Sequence, residues 1–235
     1  NRACAAIAAS QQPNIEENLW AINCFLQNYQ AWDDVNKIKM VEIDNLRTEL
    51  IATMTAGQAA HELAAMKIAP AISDELLNYL ADFIAQLADI RGRNTLAAYA
   101  QPLLSYATND LVGQNHNKQQ LNNAWQQYAL PFFTKHPSVW RNYFMFRIHH
   151  DQLAMGDDQA AVTVFNLQVI DFFYLKALIS AYASHHGELT EDDVIGIIYS
   201  YHACRESTDN SSHIFKQNVI AWVLKEDFSL LSLLA

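Results

Sequence analysis

Apolar residues recur every three or four positions along most of this chain. Between Asn14 and Trp32, the residues Ile15, Leu19, Ile22, Leu26 and Tyr29 fall on one helical face. Asn14, with Glu17 three places on, has the form of a capping box in which Asn replaces Ser or Thr. Asp33 and Asp34 then break the stripe. A second helix is predicted over Lys39–Met54, with Val41, Leu46 and Leu50 near one face. Pro70 and Ser73 open a third, where Leu76, Leu77, Leu80, Phe83, Ile84 and Leu87 make a wide stripe before Gly92. Asn94–Tyr106 predicts a short helix, bent or interrupted near Pro102. A helix from about Gln119 to Tyr128 leads into Leu130–Trp140, where Pro131 and Pro137 are expected to enforce a turn. His136–Pro137 then starts the next helix.

The stretch from Asp158 to Ser184 is the most apolar. Val162, Phe165, Val169, Phe172, Phe173 and Leu175 cover nearly the whole circumference of a helix about 40 Å long. Asn166, Gln168, Asp171 and Lys176 lie in its middle third, where a bilayer would penalise them, so a long buried central helix is expected. After Gly187, Thr190 and Asp193 have the spacing of an N-cap and its N3 partner for a helix through Val194–Glu206. Ser207–Ser212 precedes a last pair, His213–Glu226 and Phe228–Ala235. No stretch alternates as a strand would. The fold class is therefore all-α, a bundle or array of about ten helices. Residues 1–235 read as one helical domain, divisible into subdomains 1–112 and 118–235 by a polar, exposed loop near 109–118.

Composition narrows the function. The 25 acidic residues outnumber the 15 Lys and Arg, a net charge of −10 that argues against nucleic acid and anionic membrane surfaces as partners. Cys4, Cys24 and Cys204 are scattered, as expected for reduced thiols in a cytoplasmic protein. The chain opens without Met and in helical composition, so it is expected to be the C-terminal part of something longer.

Few residues suggest chemistry. His149, His150 and Asp151, like His185 and His186, are ligand types, but adjacent helical residues point about 100° apart and do not share one ion. His61 begins an H-E-x-x-H pattern in which Ala65 takes the second His position. No metal site is predicted. Cys204 lies two residues after His202, so on a helix the two diverge. Glycine-rich phosphate loops are missing from the sequence. Two arginines remain. Arg147 follows Tyr143 and Phe144 on one face, and Arg205 ends an apolar run. Each is placed either to clamp a carboxylate of a ligand or to form an internal ion pair.

Leu130–Gly156, which reads LPFFTKHPSVWRNYFMFRIHHDQLAMG, resembles a segment of the FliB-type flagellin lysine-N-methylases. There a PFF-like turn precedes an ENYL-x-NE-x-FR helix, which Asn142, Tyr143, Phe146 and Arg147 match. The ending IHHDQLAMG replaces the usual Pro-containing one. The closing stretch is similar to the family's last helices, with Arg205 and Asn210 in the places of an Arg and a turn Asn. The resemblance implies that the complete enzyme transfers methyl groups from S-adenosylmethionine to flagellin lysines in the bacterial cytoplasm. It also implies an iron–sulfur cluster on a cysteine-rich region, and this chain has no such group of cysteines. By the same resemblance Asn142, Tyr143, Arg147 and Arg205 would contact substrate or cofactor, while no catalytic residue is assigned. The alternative is a non-catalytic interaction module holding a partner helix in an apolar groove.

Overall fold

Thr190 shows how directly the sequence sets a helix start. Its hydroxyl accepts from the Asp193 N–H at 3.2 Å, and its own N–H donates to Asp193 Oδ2 at 3.0 Å, the expected capping box. At the other start with a capping pattern, Asn14 Nδ2 donates to Glu17 Oε1 at 3.4 Å, a side-chain tie. In the computed structural model, the described residues are 1–10, 14–30, 40–66, 70–87, 94–108, 114–151, 153, 158–207, 210–225 and 230–234. They form α1 (Arg2–Ala8), α2 (Ile15–Gln30), α3 (Met40–Thr55), α4 (Gln58–Ala65), α5 (Pro70–Leu87) and α6 (Asn94–Thr108). There follow α7 (Gln114–Ala124), α8 (Leu130–Lys135), α9 (Ser138–His150), α10 (Asp158–His186), α11 (Glu191–Arg205) and α12 (Asn210–Lys225). A π-helical turn at Trp125–Ala129 joins α7 to α8, and Leu230–Leu234 is a 3₁₀ turn. No strand occurs among the described residues. The fold is all-α.

Three local expectations differ from the structure. Pro131 does not enforce a turn, because it sits at the start of α8, where a missing N–H costs little. The π-helical turn just before it takes up the misfit: the Leu130 N–H donates to the Trp125 carbonyl five residues back. The break comes at His136–Pro137 alone. Within the polar stretch, residues 109–113 lie outside the described residues, and α7 already begins at Gln114 rather than about Gln119. Pro102 lies inside α6, which continues past it. Helices α1 and α4 had no stripe long enough to announce them.

The chain packs as two compact units, each discontinuous in sequence. The first comprises Asn1–Lys67, Pro137–Ile170 and Phe228–Ala235. In it α1 packs on α2, α3 and α9, burying Ile7, Leu19, Ile22 and Leu26. Each such side chain contributes about 1.5–3 kcal/mol of transfer free energy. The predicted stripe of α3 is weaker: Leu50 is buried and Val41 is exposed. The second unit comprises Ile68–His136 and Asp171–Asp227, where α5 packs on α6, α7 and α12, and α6 on α11. Leu76, Leu80, Phe83, Ile84 and Leu87 of α5 are buried as the stripe requires, and Phe83 stacks on Phe215 of α12 at 4.3 Å.

Helix α10 serves both units, with residues to Ile170 in the first and from Asp171 in the second. It is long and apolar enough to cross a membrane, yet most of its apolar stretch is buried within the protein. Gln168 and Asp171 are buried and hydrogen-bonded to protein partners. It is a core helix.

Candidate functional site

Arg147 sits on the buried face of α9, with Tyr143, Phe144 and Ile148. Only 4% of its side chain is exposed, so the guanidinium needs a partner inside the protein. Asp151, one turn on, supplies it. Arg147 Nη2 lies 2.7 Å from Asp151 Oδ1, and Nε donates to Oδ2 at 3.1 Å. Both carboxylate oxygens are engaged, the side-on form of the bidentate pair. Gln168 Nε2 of α10 donates to the same Oδ2 at 2.9 Å, and His150 Nδ1 lies 3.2 Å from Oδ1. Gln168 Oε1 is buried without a hydrogen-bond partner among the described residues. Asp151, weighed from the sequence as a metal-ligand type, is thus the hub of this network. Its spacing of four from Arg147 was the available signal.

In the other unit, Arg205 makes a longer connection. Its Nε donates to Asp171 Oδ1 at 2.6 Å, with 11% and 4% of the two side chains exposed. Tyr201, one turn before Arg205, donates its hydroxyl to the same oxygen at 2.7 Å. Burial first, then the nearby Asp171 charge, pushes the Tyr201 phenol well above its ordinary range, against the opposing effect of Arg205. It therefore stays protonated and donating. Tyr174, one turn along α10, is fully buried, and its phenol is pushed up by the same two causes. Asp171 Oδ2 and the Tyr174 hydroxyl are buried without hydrogen-bond partners among the described residues.

The remaining predicted residues fall on different faces. Tyr143 is buried, its ring edge-on to Trp140 at 5.7 Å and to Phe144 at 5.0 Å. Asn142 is exposed on the same helix. The structure brings Tyr143 and Arg147 to one face of α9 and turns Asn142 to another. His149 and His150 are exposed, and His150 stacks on Phe146 at 5.1 Å.

The three cysteines do not suit an iron–sulfur cluster. Burial raises Cys4 to about 11, and burial with the Glu62 charge raises Cys24 to about 11, so neither is disposed to ligate as a thiolate. Cys204 is buried in α11.

A second feature of α11 is electrostatic. Tyr182 donates to Asp193 Oδ1 at 2.9 Å. Burial alone would raise the Asp193 carboxyl, but hydrogen bonds from Thr190 and Tyr182 outweigh it and hold the group below its usual value. Gly196 lies against the Tyr99 ring of α6, and a Cβ there would run into the Tyr99 hydroxyl. That close approach seats α11 on α6.

The model of the FliB lysine N-methylase C-terminal domain matches residues 1–233. Over 237 residues the chain is 21% identical to the Lysine-N-methylase of Salmonella choleraesuis (strain SC-B67), covering 100% of this chain and 59% of that protein. The Lysine-N-methylase of Salmonella typhimurium (strain LT2) is similar to the same extent, 21% over 237 residues. The chain thus spans 59% of the length of these curated relatives. No solved structure matches it. Because the family model matches nearly the whole length, the chain belongs to the FliB lysine N-methylase C-terminal domain family.

Proposed function

We propose that this chain is the helical part of an enzyme that methylates lysine side chains of flagellin in the bacterial cytoplasm. Its share of the work is to shape the substrate site and dock the protein substrate. The observation that carries this reading is the family match over residues 1–233. S-adenosylmethionine would supply the methyl group, and it and any iron–sulfur cluster would be held outside this chain. The scattered cysteines, Cys4 and Cys204 buried and Cys24 half-buried, agree with a cluster held elsewhere.

Within the chain, Arg147 and Arg205 act indirectly. Arg147 holds Asp151 at the end of α9, and Arg205 on α11 holds Asp171 of α10, which fixes the surfaces these helices present. Tyr143 supports Arg147 from the same buried face, whereas Asn142 is exposed and open to direct contact with substrate. The net charge of −10 favours approach of lysine-bearing segments by steering.

The test is methyl transfer by the product of the complete native gene. Purified anaerobically and incubated with S-adenosylmethionine and flagellin, it should add methyl-group masses to flagellin lysines, read by peptide mass spectrometry. A folded full-length protein that leaves those lysines unmodified contradicts the proposal.

A further inference from the structure

Helix α11 carries a surface that its ion pair does not use. Ile195 is 62% exposed and Tyr199 75% exposed, and residues four apart are neighbours on a helix. Asp192, exposed, begins the same strip one turn earlier. Glu188 and Glu191 are exposed beside the helix start, where Glu191 also holds His136 Nδ1 at 3.0 Å. The arginine of this helix is turned inward to Asp171.

The fold does not require this apolar pair. The inward face of α11 is completed by Val194, Ile197, Tyr201 and Cys204, all buried. Acids in a first helical turn are accounted for by the helix dipole. An Ile and a Tyr left side by side in water next to them are not.

We propose that the strip Asp192–Ile195–Tyr199 is the docking surface for the lysine-bearing protein substrate. This rests on the lysine-methylating reading above and names where on the chain the substrate is held. An apolar side chain of the substrate covers Ile195 and Tyr199, and a lysine ammonium lies by Asp192 or over the Tyr199 ring. The strip is about 10 Å long, the span of two helical turns. Charge complementarity selects this occupant: a cationic segment is attracted to the acidic end, whereas a second copy would bring the same acids to it and be repelled. Tyr is among the residues that most often dominate binding energy, and here it is the most exposed of the large apolar side chains.

The experiment measures flagellin binding to the full-length enzyme by biolayer interferometry, with melting temperature as the folding control. Both side chains are exposed in this chain, so the Ile195→Ser/Tyr199→Ser double variant should melt as the native protein does and bind flagellin at least about tenfold more weakly. Asp192→Asn should weaken binding about threefold and reduce its dependence on salt. Flagellin with acetylated lysines should bind the native enzyme weakly. Tyr199→Lys, a single exposed change, repeats the test if the double variant folds poorly, and it should also weaken binding. Native affinity in a well-folded double or Tyr199→Lys variant would overturn the docking proposal. So would a native dimer in sedimentation that the double variant abolishes, since the strip would then join two copies. The two readings fail separately. Methyl transfer with native affinity in the variants removes only the docking surface, whereas binding through the strip without methyl transfer removes only the activity.

Discussion

The two arginine pairs look alike in chemistry and differ in reach. Asp151 lies one turn after Arg147, just past the end of α9, and its carboxylate is also served by Gln168 and by His150, with 17% of the Asp151 side chain exposed. Arg205 and Asp171 are 34 residues apart, on α11 and α10, and the carboxylate is 4% exposed. The first pair fastens the end of a helix. The second fastens one helix to another, and Tyr201 is committed to the same oxygen. The cost of breaking a pair depends on what is left behind unpaired, so the deeper pair is the more consequential.

The widest gap should appear at Asp171. Asp171→Ala removes the acceptor that Arg205 Nε and the Tyr201 hydroxyl share, and should cost about 3–5 kcal/mol in urea denaturation. Asp171→Leu combined with Arg205→Met should recover much of that loss, because the cation that faced the carboxylate is removed together with it. If the double variant is no better than Asp171→Ala, packing rather than charge governs the site. Arg147→Met should cost less, about 1–3 kcal/mol, since Asp151 keeps two other donors and some solvent. Equal losses at Asp171 and Arg147 would erase the contrast between the two pairs.

A smaller effect comes from the start of α11, which positions Tyr201 and Arg205. Thr190→Ala removes the cap and should cost about 1 kcal/mol. The same box has a pH signature. Hydrogen bonds hold the Asp193 carboxyl below its usual value in the folded protein, so the unfolded chain binds that proton more tightly. The stabilisation is complete above about pH 4, near the unfolded pKa, and is lost as pH falls through the folded value. Thermal melts of Asp193→Asn against the native protein should therefore converge at the acid end and separate above it. Smallest of all, Tyr199→Ser should change stability by no more than about 0.5 kcal/mol, because the side chain stands in solvent.

Much of the fold was legible because burial leaves a period of three to four in the sequence. The stripe on α5, the Thr190–Asp193 box and the buried α10 all follow from local spacing. Short α1 and α4 were not, since seven or eight residues hold too few apolar positions to define a face. Pro131 misled because a proline reads as a break, and only the structure shows the π-helical turn that accommodates it. The division into two discontinuous units was also hidden: helical periodicity says which face is buried, not against which distant helix. Within the site, both arginines were legible as residues needing a carboxylate. Asp151 could have been found from its spacing to Arg147, whereas Asp171 could not, because no local rule joins positions 34 apart. The exposed pair Ile195 and Tyr199 was absorbed into an apolar run, and its orientation needed coordinates.

In the proposed division of labour this chain holds the protein substrate and the methyl donor is bound elsewhere. The most direct measurement is calorimetric titration of the 235-residue chain, with its helical fold verified by circular dichroism, against flagellin and then against S-adenosylmethionine. Saturable binding of flagellin and no binding of S-adenosylmethionine are expected. Binding of S-adenosylmethionine, or methyl transfer by this chain alone, would contradict this division of labour.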